Sequence, residues 1–411
     1  MSALPLSDVR VLDLTRLLPG GFCSLLLADL GAEVLKVEDT GMGDYIRWAP
    51  PYYGSDEQQA LGTRSALYLS LNRGKRSVRL DLKQERGREV LLRLVADYDV
   101  VLDGFRPGVL DKLGVGYERL REANPRLVYC AITGYGQDGP YAQRAGHDMN
   151  YLGLVGLLGL TGGKDGPPVQ SAGQIADLGG GALIAAFGVM AALHERERSG
   201  EGQAVDVSMA DGALSWLAMV AGRYFCDEEV PRRGEQQLAG GLVCYLPYEA
   251  ADGWVTCGAL EPKFWAAFCD GVGHPDLVEK QFEAPGSEAW AQVAEVFRSR
   301  TREEWRAFND EHDCCIEPVL DLDEALDSEL VRARGMVSAI EQPGLGTVRQ
   351  LGNPVKLSRT PADPTRPAPA FGEHTDEVLA EAGYSAEEIA AMKASAAAAG
   401  PGADARAEFR A

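Results

Sequence analysis

The chain has 411 residues, 45% of them apolar, enough to bury large cores in two or three domains. Forty lysines and arginines against 61 acids leave a net charge of −21, which argues against a nucleic-acid partner and obliges any polyanionic ligand to find a local basic site. Eight cysteines without a C-x-x-C pair give neither a zinc ribbon nor a thioredoxin motif, and no metal site is expected. They read as reduced and mostly buried; the adjacent Cys314 and Cys315 are either packing beside Ile316 or a redox feature. Charges at Asp8, Arg10, Asp13, Arg16 and Asp29 argue against a signal peptide, and no membrane span is expected.

In chain order, "VRVLDLTRLLPGGFCSLLLADLGAEVLKVED" predicts a strand over 9–14, a Pro19-Gly20-Gly21 turn, an apolar helix to Leu30 and a second strand over 33–38, a β-α-β unit. The segment "NRGKRSVRLDLK" alternates Val78, Leu80 and Leu82 with polar residues, which predicts a strand with one buried face. A polar helix over 84–99 leads into the strand "VVLDGF", and 126–136 adds another, so the sheet is read as parallel and covered on both faces. An Ala-rich helix follows over 174–198, then a strand running into a helix from "AVDVSMADG". Residues 245–260 read as a hairpin around Ala-Asp-Gly, followed by a helix from "EPKFWAAFCDGVG". The Pro-rich stretch 359–375 is expected on the surface, with a short helix near 384–396 after it. The organisation is therefore α/β: a Rossmann-like parallel-sheet domain over 1–224, completed by 326–395, a smaller α+β domain over 225–325, and a mobile tail over 396–411.

Two weak bases stand out. His147 lies in "RAGHDMNYLGLVGLL" and Asp177, thirty residues later, in "AGQIADLGGGAL". An imidazole is a natural reversible base near neutral pH, although a histidine there is as readily structural. Asp177 precedes three glycines at a helix start, so it is either an N-cap or a second base. Glu261 precedes Pro262 at another helix start and is either a cap or a carboxylate that fixes the tautomer of an imidazole. Arg73, Lys75, Arg76, Arg79 and Lys83 form the clearest cationic cluster, either a phosphate-holding patch or a solvated loop. No G-x-x-x-x-G-K-[ST] occurs, and the turn at Pro19 lacks G-x-G-x-x-G, so a nicotinamide or nucleoside triphosphate site is a poor fit.

These residues, with "IADLGGGALIAAFGVMAALHERERSGEGQAVDVSMADG", "ALEPKFW", "GFRPGVLDKLGVGYERL" and "GEHTDEVLAEAGYSAEEI", resemble the family III CoA-transferase superfamily, and within it the α-methylacyl-CoA racemases, from Leu6 to about Ile389. The resemblance implies an interlocked homodimer acting on an acyl-CoA thioester, with no further cofactor. It implies that His147 and Asp177 are the two bases of a racemase, and that Glu261 of a partner subunit braces the histidine. In a transferase the residue matching Asp177 would instead carry the acyl group. CoA contacts are implied at Leu80, Asp81, Leu82, Lys83, Arg106, Gly146, Asp148, Met149, Asn150 and Tyr151, with Lys36, Arg73, Lys75 and Arg76 as candidate cations. The arginine expected after the second strand is replaced by Asp39, so the adenosine end needs another holder. The segment 40–71, rich in Tyr and Trp, is expected to line or cover the acyl site. The ending "EFRA" is no peroxisomal address, and a cytoplasmic location is the default expectation.

Overall fold

Six short segments become parallel strands of one sheet in the computed structural model, which describes residues 4–54, 62 and 64–402. They are β1 (Arg10–Asp13), β2 (Glu33–Glu38), β3 (Lys75–Leu80), β4 (Val100–Asp103), β5 (Val128–Thr133) and β6 (Ala204–Ser208). Their order is β3-β2-β1-β4-β5-β6, all neighbours parallel. Alternate side chains feed two cores: Leu12, Leu35, Val78 and Val101 on one face, Val11, Val34, Val100 and Leu102 on the other. Burial on both faces is why β1, β4 and β5 read as continuous apolar runs rather than as alternating ones.

β3 departs from the expectation of a single buried face, since only Arg76 of its six residues is not fully buried. The chain over 366–375 runs along its outer edge and lays the Phe371 ring against the Arg79 guanidinium. Gly74 N–H donates to the Pro367 carbonyl at 2.9 Å, Gly372 N–H to Ser77 Oγ at 2.9 Å and His374 N–H to the Ser77 carbonyl at 3.0 Å. The Pro-rich stretch expected on the surface therefore contributes Ala368 and Phe371 to the core. Likewise Ala397 and Ala398 are buried, and Ala398–Ala399 pairs antiparallel with β3, so this part of the tail expected to be mobile is packed against the sheet. Residues 403–411 lie outside the described residues.

Contacts divide the chain into one unit of 1–155, 173–215 and 329–411 and a second of 156–172 and 216–328. The second unit is larger than the expected 225–325. Its added segment is held by Arg233, whose guanidinium donates to the carbonyls of Gly159, Gly163 and Gly166 at 3.0, 3.2 and 2.6 Å. Within this unit β7 (Tyr245–Ala250) and β8 (Gly253–Gly258) form the expected hairpin, and β9 (Ile316–Pro318) pairs antiparallel with β8. Trp265, Phe268, Phe297 and Trp305 are wholly buried there, with the Phe268 and Phe297 rings stacked at 5.3 Å.

The helical run Ile175–Ser199, which contains Asp177, is long and apolar enough to cross a bilayer by length and composition. Of its most apolar window 44% is buried inside the fold, where Ala185, Val189, Ala192 and Leu193 join the core.

Candidate active site

The strand order reverses direction between β1 and β4. From β1 the chain turns towards β2 through the helix Leu17–Asp29, and from β4 it turns the other way towards β5. Loops leaving neighbouring parallel strands in opposite directions open a crevice at the strands' carboxyl ends, the usual ligand site of an open α/β sheet. Here that crevice is a cavity of about 690 Å³ lined by Thr15, Arg16, Phe105, Arg106, Arg144, Gly146, His147, Asn150, Tyr151, Asp177 and Met209 among others.

Each loop is fixed by the aspartate that ends its strand, which accepts an N–H two residues on, as Asp does in tight turns. Asp13 Oδ1 accepts the Thr15 N–H at 2.9 Å, and Asp103 Oδ1 accepts the Phe105 N–H at 2.8 Å. Burial alone would raise the Asp13 carboxyl, but Lys36, Lys75, Ser24 and Thr15 outweigh it and hold it at about 2. Asp103 has no such cation among the described residues. Burial pushes it up to about 6 despite hydrogen bonds from the Tyr129 hydroxyl and the Phe105 N–H.

His147 is the N-cap of the helix Asp148–Leu154; Asn150 Oδ1 accepts its N–H at 2.9 Å, and the Tyr151 hydroxyl donates to the Gly146 carbonyl at 2.6 Å. Asp177 is not an N-cap. It lies inside a π-helical stretch, Ile175–Leu183, that continues as the α-helix Ile184–Ser199. The acceptor for that helix start is Asp148, whose Oδ1 takes the N–H of Ala176 at 2.7 Å and of Asp177 at 3.0 Å. Thus the Asp177 carboxylate is left to the cavity. Burial is the main cause that raises it to about 6, the Asp148 charge adds to the rise, and His147 opposes it. The three glycines after it allow the helix Met209–Ser215 to approach backbone to backbone: a Cβ on Gly180 would lie 2.7 Å from the Met209 carbonyl oxygen. Such π segments are frequent at functional sites.

A second cavity, of about 570 Å³, is lined by Leu80, Asp81, Leu82 and Lys83, the quartet implied for CoA, together with Asp39 and Lys112; Arg16, Tyr45 and Phe105 line both voids. Three candidate cations are withdrawn. Lys36 is wholly buried against Asp44 at 2.8 Å, Lys75 against Asp13 at 3.3 Å, and Arg73 is 3% exposed against Asp29 at 2.7 Å. Arg76 is only partly buried, but it is committed to Glu33, Glu377 and Glu381. Arg73, Lys75, Arg76 and Arg79 are thus neither a phosphate patch nor a solvated loop, while Lys83, beyond the end of β3, is exposed and lines the second cavity. Met149 is exposed, and Tyr151 is buried.

Sequence reasoning missed Arg16, Arg144, Lys112 and Phe105 as lining residues. Arg16 was the findable one, the first cation after β1. Its guanidinium reaches Asp39 at 2.5 Å, so the acid that stands where an arginine was expected is paired with one from another loop. Of the segment 40–71, Tyr45 lines both cavities while 55–61 and 63 lie outside the described residues. Glu261 belongs to the second unit, exposed at the N-cap of the helix Pro262–Gly271, and makes no side-chain capping bond.

The sequence profile described as CoA-transferase family III matches residues 6–375. The chain belongs to that family. It is 38% identical over 396 residues to "Alpha-methylacyl-CoA racemase" of Mus musculus, covering 93% of this chain and 95% of the relative. It is 37% identical over 391 residues to "Succinyl-CoA:mesaconate CoA-transferase" of Haloarcula marismortui, covering 92% and 96%. The crystal structure of a CAIB/BAIF family protein from Brucella suis superposes with a TM-score of 0.79 at 31% identity, over 93% of this chain and all of that one. This family III protein is therefore an enzyme of the CoA-transferase and racemase superfamily, whose two reactions are represented among its relatives at similar identity.

Proposed function

We propose that the protein inverts the α-carbon of a 2-methyl-branched acyl-CoA thioester by proton transfer between His147 and Asp177. The observation that carries this reading is that an imidazole and a carboxyl raised to about 6 line one cavity at the switch point of the sheet. In one direction the Asp177 carboxylate takes the α-proton and the protonated His147 returns a proton to the opposite face; in the other, the roles exchange. Between the two steps the negative charge rests on the thioester oxygen. The first N–H groups of a helix have no acceptor within it, so the N–H of Asp148, the first residue after the cap, is the natural donor to that oxygen. One such preorganised donor lowers a barrier by about 3 kcal/mol.

The CoA moiety occupies the neighbouring cavity along Leu80 to Lys83, with Arg16, Lys83 and Lys112 as its cations there and Arg106 at the cavity of the two bases. In a homodimer Glu261 of a second copy orients the imidazole, as the resemblance implies. A second reading has support from the relatives named as CoA-transferases: Asp177 attacks the thioester, and the acyl group passes through an anhydride to a free acid.

Incubation with 2-methyldecanoyl-CoA in deuterium oxide, with and without succinate, separates the two. Inversion predicts deuterium at the α-carbon without any acid. A requirement for the acid, with a hydroxylamine-sensitive adduct on Asp177 and no α-exchange, would replace the racemase reading by the transferase one.

A further inference from the structure

Asp148 touches both candidate bases. It follows His147 directly, and its side chain, in a residue 2% exposed, crosses to the π-helical stretch, where Oδ1 accepts the N–H of Ala176 and of Asp177. Its Oδ2 is buried and has no hydrogen-bond partner among the described residues. A buried carboxylate oxygen without a donor is unfavourable by itself and calls for a physical account. Removed from water, its charge is felt strongly by whatever lies beside it.

Building on the racemase reading above, we propose that Asp148 is a positioning residue for the proton-transfer pair: its carboxylate ties the peptide of Asp177 to the residue after His147 and so sets how the two bases face one carbon. A rigid tether matters because a misplacement of about 1 Å can lower a rate by roughly a hundredfold.

The charge has a second consequence. A like charge nearby disfavours ionisation, so Asp148 supports the rise of Asp177 that burial begins, and His147 moderates it. Tyr151, also on the helix Asp148–Leu154, is near enough to feel Asp177, and Arg16, Arg106 and Arg144 line the cavity from the adjoining loops. Among the other elements packed on the π stretch, the helix Met209–Ser215 carries Asp211, which is exposed. β6 carries Asp206, which accepts the Gln137 N–H; the helix Leu17–Asp29 carries Asp29, bonded to Arg73; β5 carries Tyr129, bonded to Asp103. Asp148 is thus the acid that bonds to the Asp177 peptide itself. A carboxyl near 6 exchanges roles with an imidazole far more readily than an ordinary one.

D148N keeps an oxygen that can accept both N–H groups and removes the charge; D148A removes both. Carboxyl 13C NMR of aspartate-labelled protein, with the Asp177 signal identified by its absence in D177N, reads the titration independently of any reaction. Deuterium wash-in at the α-carbon of 2-methyldecanoyl-CoA gives kcat and KM against pH. In D148N the Asp177 titration, and the limb it produces in either direction of inversion, should move down by about one pH unit. In D148A kcat should also fall roughly 10- to 100-fold at nearly constant KM. An Asp177 titration unmoved in D148N overturns the proposal, as does a D148A enzyme with wild-type kcat. Should D148A fail to fold, D148N decides alone. Wild-type protein that washes in no deuterium without an acid refutes the racemase reading instead, and the NMR titration still reports whether Asp148 acts on Asp177.

Discussion

An imidazole and a carboxyl group can share a proton across one carbon only if both are reversible bases in the same pH range. Asp177 meets this condition through its surroundings: burial first, then the Asp148 charge, lifts it to about 6. Replacing either His147 or Asp177 by Ala should lower inversion of 2-methyldecanoyl-CoA by about two to four orders of magnitude while CoA binding, read by calorimetry, stays close to wild type. Wild-type inversion in both variants would refute the assignment. Legibility in the sequence differed among these residues. His147 and Asp177 were visible as bases beside glycine, whereas the tether from Asp148 to the Asp177 peptide was not, because it joins N–H groups 28 and 29 residues away.

Among the elements, the π-helical stretch and the helix Met209–Ser215 depend on each other. A Cβ on Gly212 would lie 2.0 Å from the Gly180 carbonyl oxygen, and backbone cannot rotate aside as a side chain can. Gly212→Ala should therefore destabilise the protein by about 1–3 kcal/mol, seen as a lower Tm, and should reduce kcat by displacing Asp177. An unchanged Tm would mean that the two segments separate at little cost. The Asp103 loop anchor makes a pH prediction. Its folded value, about 6, lies above the usual carboxylate value, so the folded state holds the proton more tightly between about pH 4 and 6, and stability contributed by this group falls as pH rises through that window. Asp103→Asn lacks that term, so its Tm relative to wild type should improve from pH 5 to pH 7. A Tm difference independent of pH would contradict the buried, raised carboxyl. Nothing in the alternation of "KRSVRL" revealed that β3 is buried almost throughout, because the chain along its edge comes from residues nearly three hundred positions later.

For the whole molecule, the resemblance places Glu261 in the active site of the other copy. Co-expression of His147→Ala with Glu261→Ala should then restore activity that neither variant has alone, since one of the two sites in the mixed dimer keeps both residues. Absence of complementation in a mixture shown by sedimentation to be dimeric would place both residues in the same subunit's site. By itself the sequence determined the parallel α/β sheet and the hairpin of the second unit and singled out His147 and Asp177 as candidates, because periodicity, turn residues and side-chain chemistry are local properties. Tertiary structure decided which cations remain available. Lys36, Arg73 and Lys75 are consumed by Asp44, Asp29 and Asp13, while Arg16, a single residue in an apolar helix start, reaches the cavities. The physical reason is that a charge's role depends on its distance from water and from opposite charge, and both distances are set by chain segments remote in sequence.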